Sequence, residues 1–576
     1  MELTKTSFGR LLPQILEDLC LCHCLAFDFE FSGIFNRKLR PVSTDSSGGL
    51  TLQKRYEEVK GAAEQYQILQ VGITFIMEDT ETGSYSFRPY NIPLNPVMDS
   101  KLDIERVWSF QSSAMEFLLK EGFRIGQIFT EGVSYLSRKE EREAKERILF
   151  GNDSVPDINL NKLDTGDAIF VAQLRERMDE WISDPKEGTL RIPKTRLLPK
   201  ITPTTLIATS TGISNYQKRL VHQVVRREYP GFVSIGRKTF VEIVAYDKSR
   251  EDKVLKNRSD RRSHLIHDQK GFSWVIEALV GGDLSKLEMQ DFLARWEITD
   301  PSEGIKLRER IKNVKQMLKT VRPVVIGHNL FTDLVNFHKC FMGDLPEKVE
   351  DFQQAIHALF PLVFDTKYMA THDGQLRDGN SSLANLYQSA VAANRAPSFV
   401  IDPRYDSYSC NKPEHEAGYD SFVTAQIFVR LAVQLYERRN CGDTVVPQQD
   451  AVISNCSDEG SEEPESALAA ESANAEDNAA TLGSSLSSES MTAEDSREGK
   501  YKFGHATRFD LLLEEDDASV SSEKDQESQL QEIVEEGKLI PRFDHGFWDF
   551  YKNKLRVYGT LEQECELNRQ PTVLDN

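Results

Sequence analysis

Cysteine is scarce in this chain, 8 of 576 residues, and three of those crowd at Cys20, Cys22 and Cys24. So sparse a set excludes a disulfide-stapled scaffold and reads as free thiols of a reducing compartment. Nowhere does an apolar run approach the ~18 residues a membrane-crossing helix needs. The opening MELTKTSFGRLLPQ lacks the apolar core of a secretory signal. The expected setting is therefore cytoplasm, nucleus or both, not secreted, with no transmembrane anchor and no membrane partner. Neither G-x-x-x-x-G-K-[ST] nor G-x-G-x-x-G occurs, so nothing points to a bound nucleotide cofactor. The dense CLCHC run at 20–24 offers zinc-type donors, but neighbours this close cannot close a tetrahedron without a partner pair.

What is present suffices for a real core: 39% hydrophobic and 9% aromatic residues in a length that calls for two or three domains. The formal charge of −21 argues against a polyanionic partner only until it is located. Residues 441–540 carry 25 acids and 6 bases, a net of −19, which leaves −2 for all the rest. This Ser, Ala, Glu and Asp-rich stretch holds too little apolar surface to offset its ordering entropy and is expected to be disordered over about 446–535. The chain turns apolar again in FDHGFWDFYKNKLRVYGTL. Phe547, Trp548, Phe550 and Tyr551 there are expected to dock on a core, with Leu555 and Val557 on one face of an extended segment.

Along the chain, Ser7 is placed to cap a helix whose Leu11, Leu12, Ile15, Leu16 and Leu19 recur at helical spacing. The alternation in LAFDFEFSGIF predicts a strand, and ILQVGITFI and YSFRPYNI predict two more. Helices are expected at SSAMEFLLKEG and DAIFVAQLRERMDEW. Between about 196 and 250 the register changes to a helix around NYQKRLVHQVVRREYP and strands at FVSIG and TFVEIVAY, a small α/β module of its own. A helix at GFSWVIEALV and a strand at VRPVVIGHN then resume the larger fold.

Side chains two apart on a strand share a face, so Asp28 and Glu30 of FDFEF project together, opposite Phe27, Phe29 and Phe31. Alone, such a pair is commonplace on an edge strand whose polar face meets water. Asp333 follows the short strand ending in Gly327-His328-Asn329, where an acid in a first helical turn also suits the helix dipole. Asp420 opens an amphipathic helix, and His415 precedes it by five residues. Four carboxylates converging on one site could hold two hard divalent cations, which take oxygen ligands. Such a pair can stabilise both the attacking and leaving oxygens of a phosphoryl displacement. His415 is the natural base for the attacking water, since imidazole titrates near neutrality.

FDFEFSGI, IGHNLFTDL, LFPLVFDTKYMA and HEAGYDSFVTAQIF together resemble the successive motifs of the DEDDh exonucleases. Specifically, they are similar to the poly(A)-specific ribonuclease family and its trimmer relatives, which shorten small-RNA precursors. The likeness covers about residues 1–445, and HEAGYD is its most specific string. It implies an α/β, ribonuclease-H-like nuclease domain that is discontinuous, made of residues 1–195 and 251–445. It also implies an inserted nucleic-acid-binding domain of the Arg-x-x-x-His type at 196–250, and a segment at 536–576 that docks back on the nuclease. By the family pattern Asp28, Glu30, Asp333 and Asp420 hold two Mg²⁺ or Mn²⁺ ions and His415 is the base. Asp365 is a fifth acid, with a supporting role.

The implied activity is a metal-dependent 3′-to-5′ exoribonuclease that trims or deadenylates single-stranded RNA 3′ ends and releases 5′-nucleotides. A DNA 3′ exonuclease and a non-catalytic RNA-binding scaffold are the alternatives, and a homodimer is kept open. Phe31 and Ile34, just past the first strand, are the expected apolar contacts to the last bases. In the inserted module Lys218 and His222 occupy the Arg-x-x-x-His spacing, with Lys in place of Arg; the charge stays and the planar fork is lost. Residues 248–262 add seven bases against Glu251, Asp252 and Asp260, either a track for an RNA backbone or a solvated hinge. Residues 446–576 show no aromatic signature of an RNA-recognition motif, which turns the resemblance toward the trimmers.

Overall fold

The computed structural model describes residues 1–35, 50–102, 104–150, 156–184, 188–192, 213–293, 301–372, 381–392, 397–410, 415–440 and 531–569. The acidic stretch, up to residue 530, lies outside them. Numbered along the chain, the strands are β1 (Cys24–Phe31), β2 (Ile68–Asp79), β3 (Ser84–Pro93), β4 (Thr189–Ile192), β5 (Phe232–Gly236), β6 (Val241–Ala245), β7 (Val325–Gly327), β8 (Val363–Asp365), β9 (Ser398–Val400), β10 (Lys554–Arg556) and β11 (Glu564–Glu566). Two compact units result, Met1–Glu141 with His267–Asn576, and Arg142–Ile266.

The first unit is built on a mixed sheet of order β8-β7-β1-β2-β3-β9. β1 is interior, antiparallel to β2 and parallel to β7, so its acids do not sit on a wet sheet edge. Its alternation sorts the residues as the sequence indicates. Leu25, Phe27 and Phe29 enter a large core with Leu12, Ile15 and Leu16 of the helix Phe8–Leu21. Cys24 and Ala26 face the other way, among Ala425 and Phe428 of the helix Ala417–Asn440. Ser7 precedes the first helix but makes no side-chain cap; its hydroxyl is taken by Thr4, whose N–H donates to it at 3.0 Å.

The C-terminal segment belongs to this unit's second core. Trp548 is buried against Phe364 and Phe428, with ring centroids 4.7 and 5.7 Å away. Asn553 exchanges backbone and side-chain hydrogen bonds with Val363 of β8, so the β10–β11 hairpin grows from the sheet's end. Phe550 departs from the expected burial. It is 48% exposed, with the Arg439 guanidinium 3.7 Å over its ring, a contact an aromatic face can make while still wet.

In the second unit β4, β6 and β5 form a three-stranded antiparallel sheet. The expected start near 196 is too late. Phe170, Leu174 and Met178 of the helix Thr165–Ser183, with Leu190 and Ile192 of β4, share one core with Leu220, Val224 and Ile243. A four-residue strand carries too little pattern to be seen in sequence. The basic run beyond 247 is one helix, Lys248–Lys270. Among the described residues, Cys20, Cys22, Cys24, Cys340 and Cys565 are free thiols, and no helix is long and apolar enough to cross a membrane.

Candidate active site

Two rows of the sheet position the strand acids. Glu30 lies opposite Gln70 and Asp28 opposite Gly72, and Gly72 in turn lies opposite Asn91 of β3. The helix Ala417–Asn440 lays its N-terminus across these rows. Gln70 Oε1 accepts the Ala417 N–H and Asn91 Oδ1 the Gly418 N–H, both at 3.1 Å. Side chains of the sheet thus satisfy donors that every helix start leaves orphaned. One turn on, Ser421 and Thr74 share a buried hydroxyl pair at 2.9 Å. Gly72 permits the close approach, since a Cβ there would lie 1.7 Å from the Ala417 carbonyl oxygen.

So fixed, Asp420 meets the strand pair. One carboxylate oxygen from each of Asp28, Glu30 and Asp420 lies within 4.8 Å of the others. Asp333 comes from the helix Phe331–Phe337, whose Phe337 stacks on Phe27 and Phe29. It stands outside that tight triad yet close enough to perturb both strand acids. Burial pushes the Asp28 carboxyl well above the usual carboxylate range, and Asp333 adds to the push. Glu30, 7% exposed, is raised by burial first and then by Asp28, Asp420, Asp333 and Glu416. Asp333 is raised by burial and by Asp365.

Mutually repelling carboxylates withdrawn from water are costly to hold unless cations offset them. An all-oxygen, four-acid set fits hard divalent ions of the Mg²⁺ or Mn²⁺ type.

His415 sits just before the Asp420 helix with φ of 62°, in the left-handed region, and packs edge-on against Phe117 at 4.6 Å. A second histidine, His328 in the turn before the Asp333 helix, is poorly suited to act as a base. Burial and Lys367 push it down to about 3, and its Nδ1 is engaged with Thr366 Oγ1 at 2.9 Å. Phe31, the last residue of β1 rather than a residue past it, and Ile34 are half-buried. Their segment is tied to the helix Ser112–Lys120 by Gln111, which accepts the Ile34 N–H at 2.8 Å and donates its own N–H to Ser32. That helix carries Phe117, so the expected base-contact segment and His415 share a wall. Asp365 makes no part of the triad and is bound up with backbone N–H groups instead.

Lys218 and His222 lie in the second unit. Lys218 donates to the Lys238 carbonyl at 3.0 Å, and His222 Nδ1 pairs with Ser234 Oγ at 2.7 Å. Burial holds the His222 pKa below its ordinary value. Both residues therefore brace the β5–β6 hairpin.

Sequence reasoning passed over Gln70, Gly72, Asn91 and Phe117. Only Gly72 left a signal, a glycine inside an apolar strand. Gly72→Ala should displace the Asp420 helix and cut turnover about 10²-fold, the scale of an ångström-sized misplacement. Turnover of a labelled oligonucleotide checks this, and wild-type rates in the folded variant would refute it.

Carboxylates brought together from β1 and from the start of a helix packed on it make a site that could hold a divalent cation, the apparatus of phosphodiester cleavage. The chain belongs to the CAF1 family of ribonucleases, whose family model matches residues 3–428, and it has that family's ribonuclease-H-like α/β fold. It is 24% identical over 473 residues to the poly(A)-specific ribonuclease PARN of Xenopus laevis, covering 78% of this chain and 64% of that one. It is 26% identical over 449 residues to the mouse poly(A)-specific ribonuclease PNLDC1, covering 76% and 72%. To the pre-piRNA 3′-exonuclease trimmer of Bombyx mori it is 24% identical over 446 residues, covering 75% and 71%.

Proposed function

We propose that this ribonuclease shortens single-stranded RNA from its 3′ end by hydrolysis at the acid site, with His415 as general base. Membership of the family makes the chain a 3′-to-5′ exoribonuclease. The observation that carries the finer reading is the convergence of Asp28, Glu30 and Asp420 within 4.8 Å, with Asp333 beside them. Those four would hold two divalent cations, Mg²⁺ or Mn²⁺, supplying charge stabilisation for the attacking and leaving oxygens. His415 takes the proton of the attacking water, its place fixed by the helix start that Gln70 and Asn91 hold. Phe31 and Ile34 offer apolar surface to the terminal bases. The second unit is the proposed RNA-contacting module, supported by the cationic residues Lys218, Arg226 and Arg227 on one helix. His222 would act there through the hairpin it braces.

The frog and mouse relatives are named for poly(A) and the silkworm one for pre-piRNA, so the tail is the open variable. Digestion of A-tailed, U-tailed and mixed-tail RNAs, with a DNA control, tests the reading. Metal-dependent release of 5′-nucleotides from RNA is expected. Binding without cleavage would favour a scaffold, and equal cleavage of DNA would remove the ribose 2′-OH as a determinant. His415→Ala should slow turnover about 10²–10⁴-fold near neutrality and less at high pH, where hydroxide substitutes for the base. A defect of constant size across the pH range would remove His415 from that role.

A further inference from the structure

Asp365 is a wholly buried acid that the acid triad leaves unused. It ends β8 opposite Gly327 of β7, and its carboxylate accepts three backbone N–H groups. Oδ1 takes those of Asn329 and Lys367, both at 2.9 Å, and Oδ2 takes that of Arg556 in the C-terminal hairpin at 3.0 Å. Asn329 stands at φ 58°, a left-handed turn between β7 and the Asp333 helix. Thr366, also wholly buried, grips the same turn twice, donating to the Gly327 carbonyl at 3.1 Å and pairing with His328 Nδ1. Two adjacent residues, Asp365 and Thr366, thus hold the turn that launches the Asp333 helix. Asp365 also holds the hairpin.

We infer that Asp365 and Thr366 are a positioning pair, which couples the seated C-terminal hairpin to the turn that aims Asp333 at the cations. This rests on the acid-site reading proposed above. A carboxylate is required because a single group must accept three N–H donors from three separate segments. An Asn keeps one acceptor oxygen and turns its own NH₂ toward a donor. Neither residue touches substrate. Hydrogen bonds that orient metal-binding side chains are typically worth 10–100-fold in metal affinity or activity.

The test uses the full chain and Mn²⁺ alone, titrated by electron paramagnetic resonance well below each variant's melting temperature. Asp365→Asn should weaken Mn²⁺ binding about 10–100-fold, with metal-free RNA binding unchanged. Leu12→Ala, in the core beside the first helix, should lower the melting temperature and leave Mn²⁺ affinity alone. Should Asp365→Asn fail to fold, Thr366→Val, nearly equal in volume, should move Mn²⁺ affinity in the same direction. Wild-type Mn²⁺ affinity in Asp365→Asn, or in Thr366→Val where that variant stands in, or an equal loss in Leu12→Ala, would overturn the positioning role and leave the acid site standing. A wild-type chain that binds no Mn²⁺ would overturn both.

Discussion

Asp28→Asn should abolish nucleotide release, by ~10³-fold or more, while making the metal-free protein more stable. The first effect follows from removing a carboxylate from the set that faces the cations; 10³-fold corresponds to about 4 kcal/mol of transition-state stabilisation. The second follows from the repulsion the same carboxylate suffers. Asp28, Glu30 and Asp333 are all raised well above ordinary carboxylate values, chiefly by burial. A group raised in the folded state holds its contribution to stability in full below its unfolded pKa. That contribution is lost as pH rises through the folded value. In EDTA the wild-type melting temperature should therefore fall as pH climbs out of the carboxylate range toward and past neutrality. Asp28→Asn should fall less, by about 1–3 kcal/mol at the alkaline end, and added Mg²⁺ should recover the wild type alone. Melting curves with and without EDTA settle the matter. Superimposable pH dependences, or substantial activity in the variant, would remove Asp28 from the site.

Ending the chain at residue 445 should leave a nuclease that does not fold, whereas ending it after Leu567 should be silent. Phe547, Trp548, Tyr551, Leu555, Val557, Cys565 and Leu567 are all buried at 5% exposure or less. At ~1.5–3 kcal/mol each, their loss comes to roughly 10–20 kcal/mol, at or beyond the whole net stability of a typical domain. The intervening stretch adds little against docking, because loop closure grows only as the logarithm of length. Trp548→Ala alone should cost about 3–5 kcal/mol, since it empties the space between Phe364 and Phe428. Chemical denaturation of the point variant and the solubility of the truncation measure this. A 1–445 fragment as active and heat-stable as the full chain would refute it.

The features legible in the sequence were those with a short local period. The two-residue alternation of FDFEF puts Asp28 and Glu30 on one face, and the helix that begins within HEAGYD carries Asp420 in its first turn. What holds them there was not legible, because Gln70 and Asn91 meet their partners more than three hundred residues away in the chain. Glutamine and asparagine in strands look like solvent-facing residues until the helix start they cap is in place. Asp365 was readable only as a spare acid for the same reason; its three donors come from three segments. Phe550 was misjudged because apolarity alone says nothing of a nearby guanidinium.

A protein whose acid-bearing unit is completed by a hairpin far along the chain is made in a particular order. The ribosome releases β1, β7 and the Asp420 helix well before the hairpin at 554–566. At roughly 5–20 residues per second, the ~125 residues separating Asn440 from Leu567 take on the order of ten seconds to emerge. Through that interval the nascent chain carries all its acids and no seated hairpin, and it is expected to be inert as a nuclease. A premature stop before Trp548 is expected to yield an inactive product that leaves the apolar space between Phe364 and Phe428 open to the cell's quality-control machinery. On this expectation, the order of the strands sets when activity first appears.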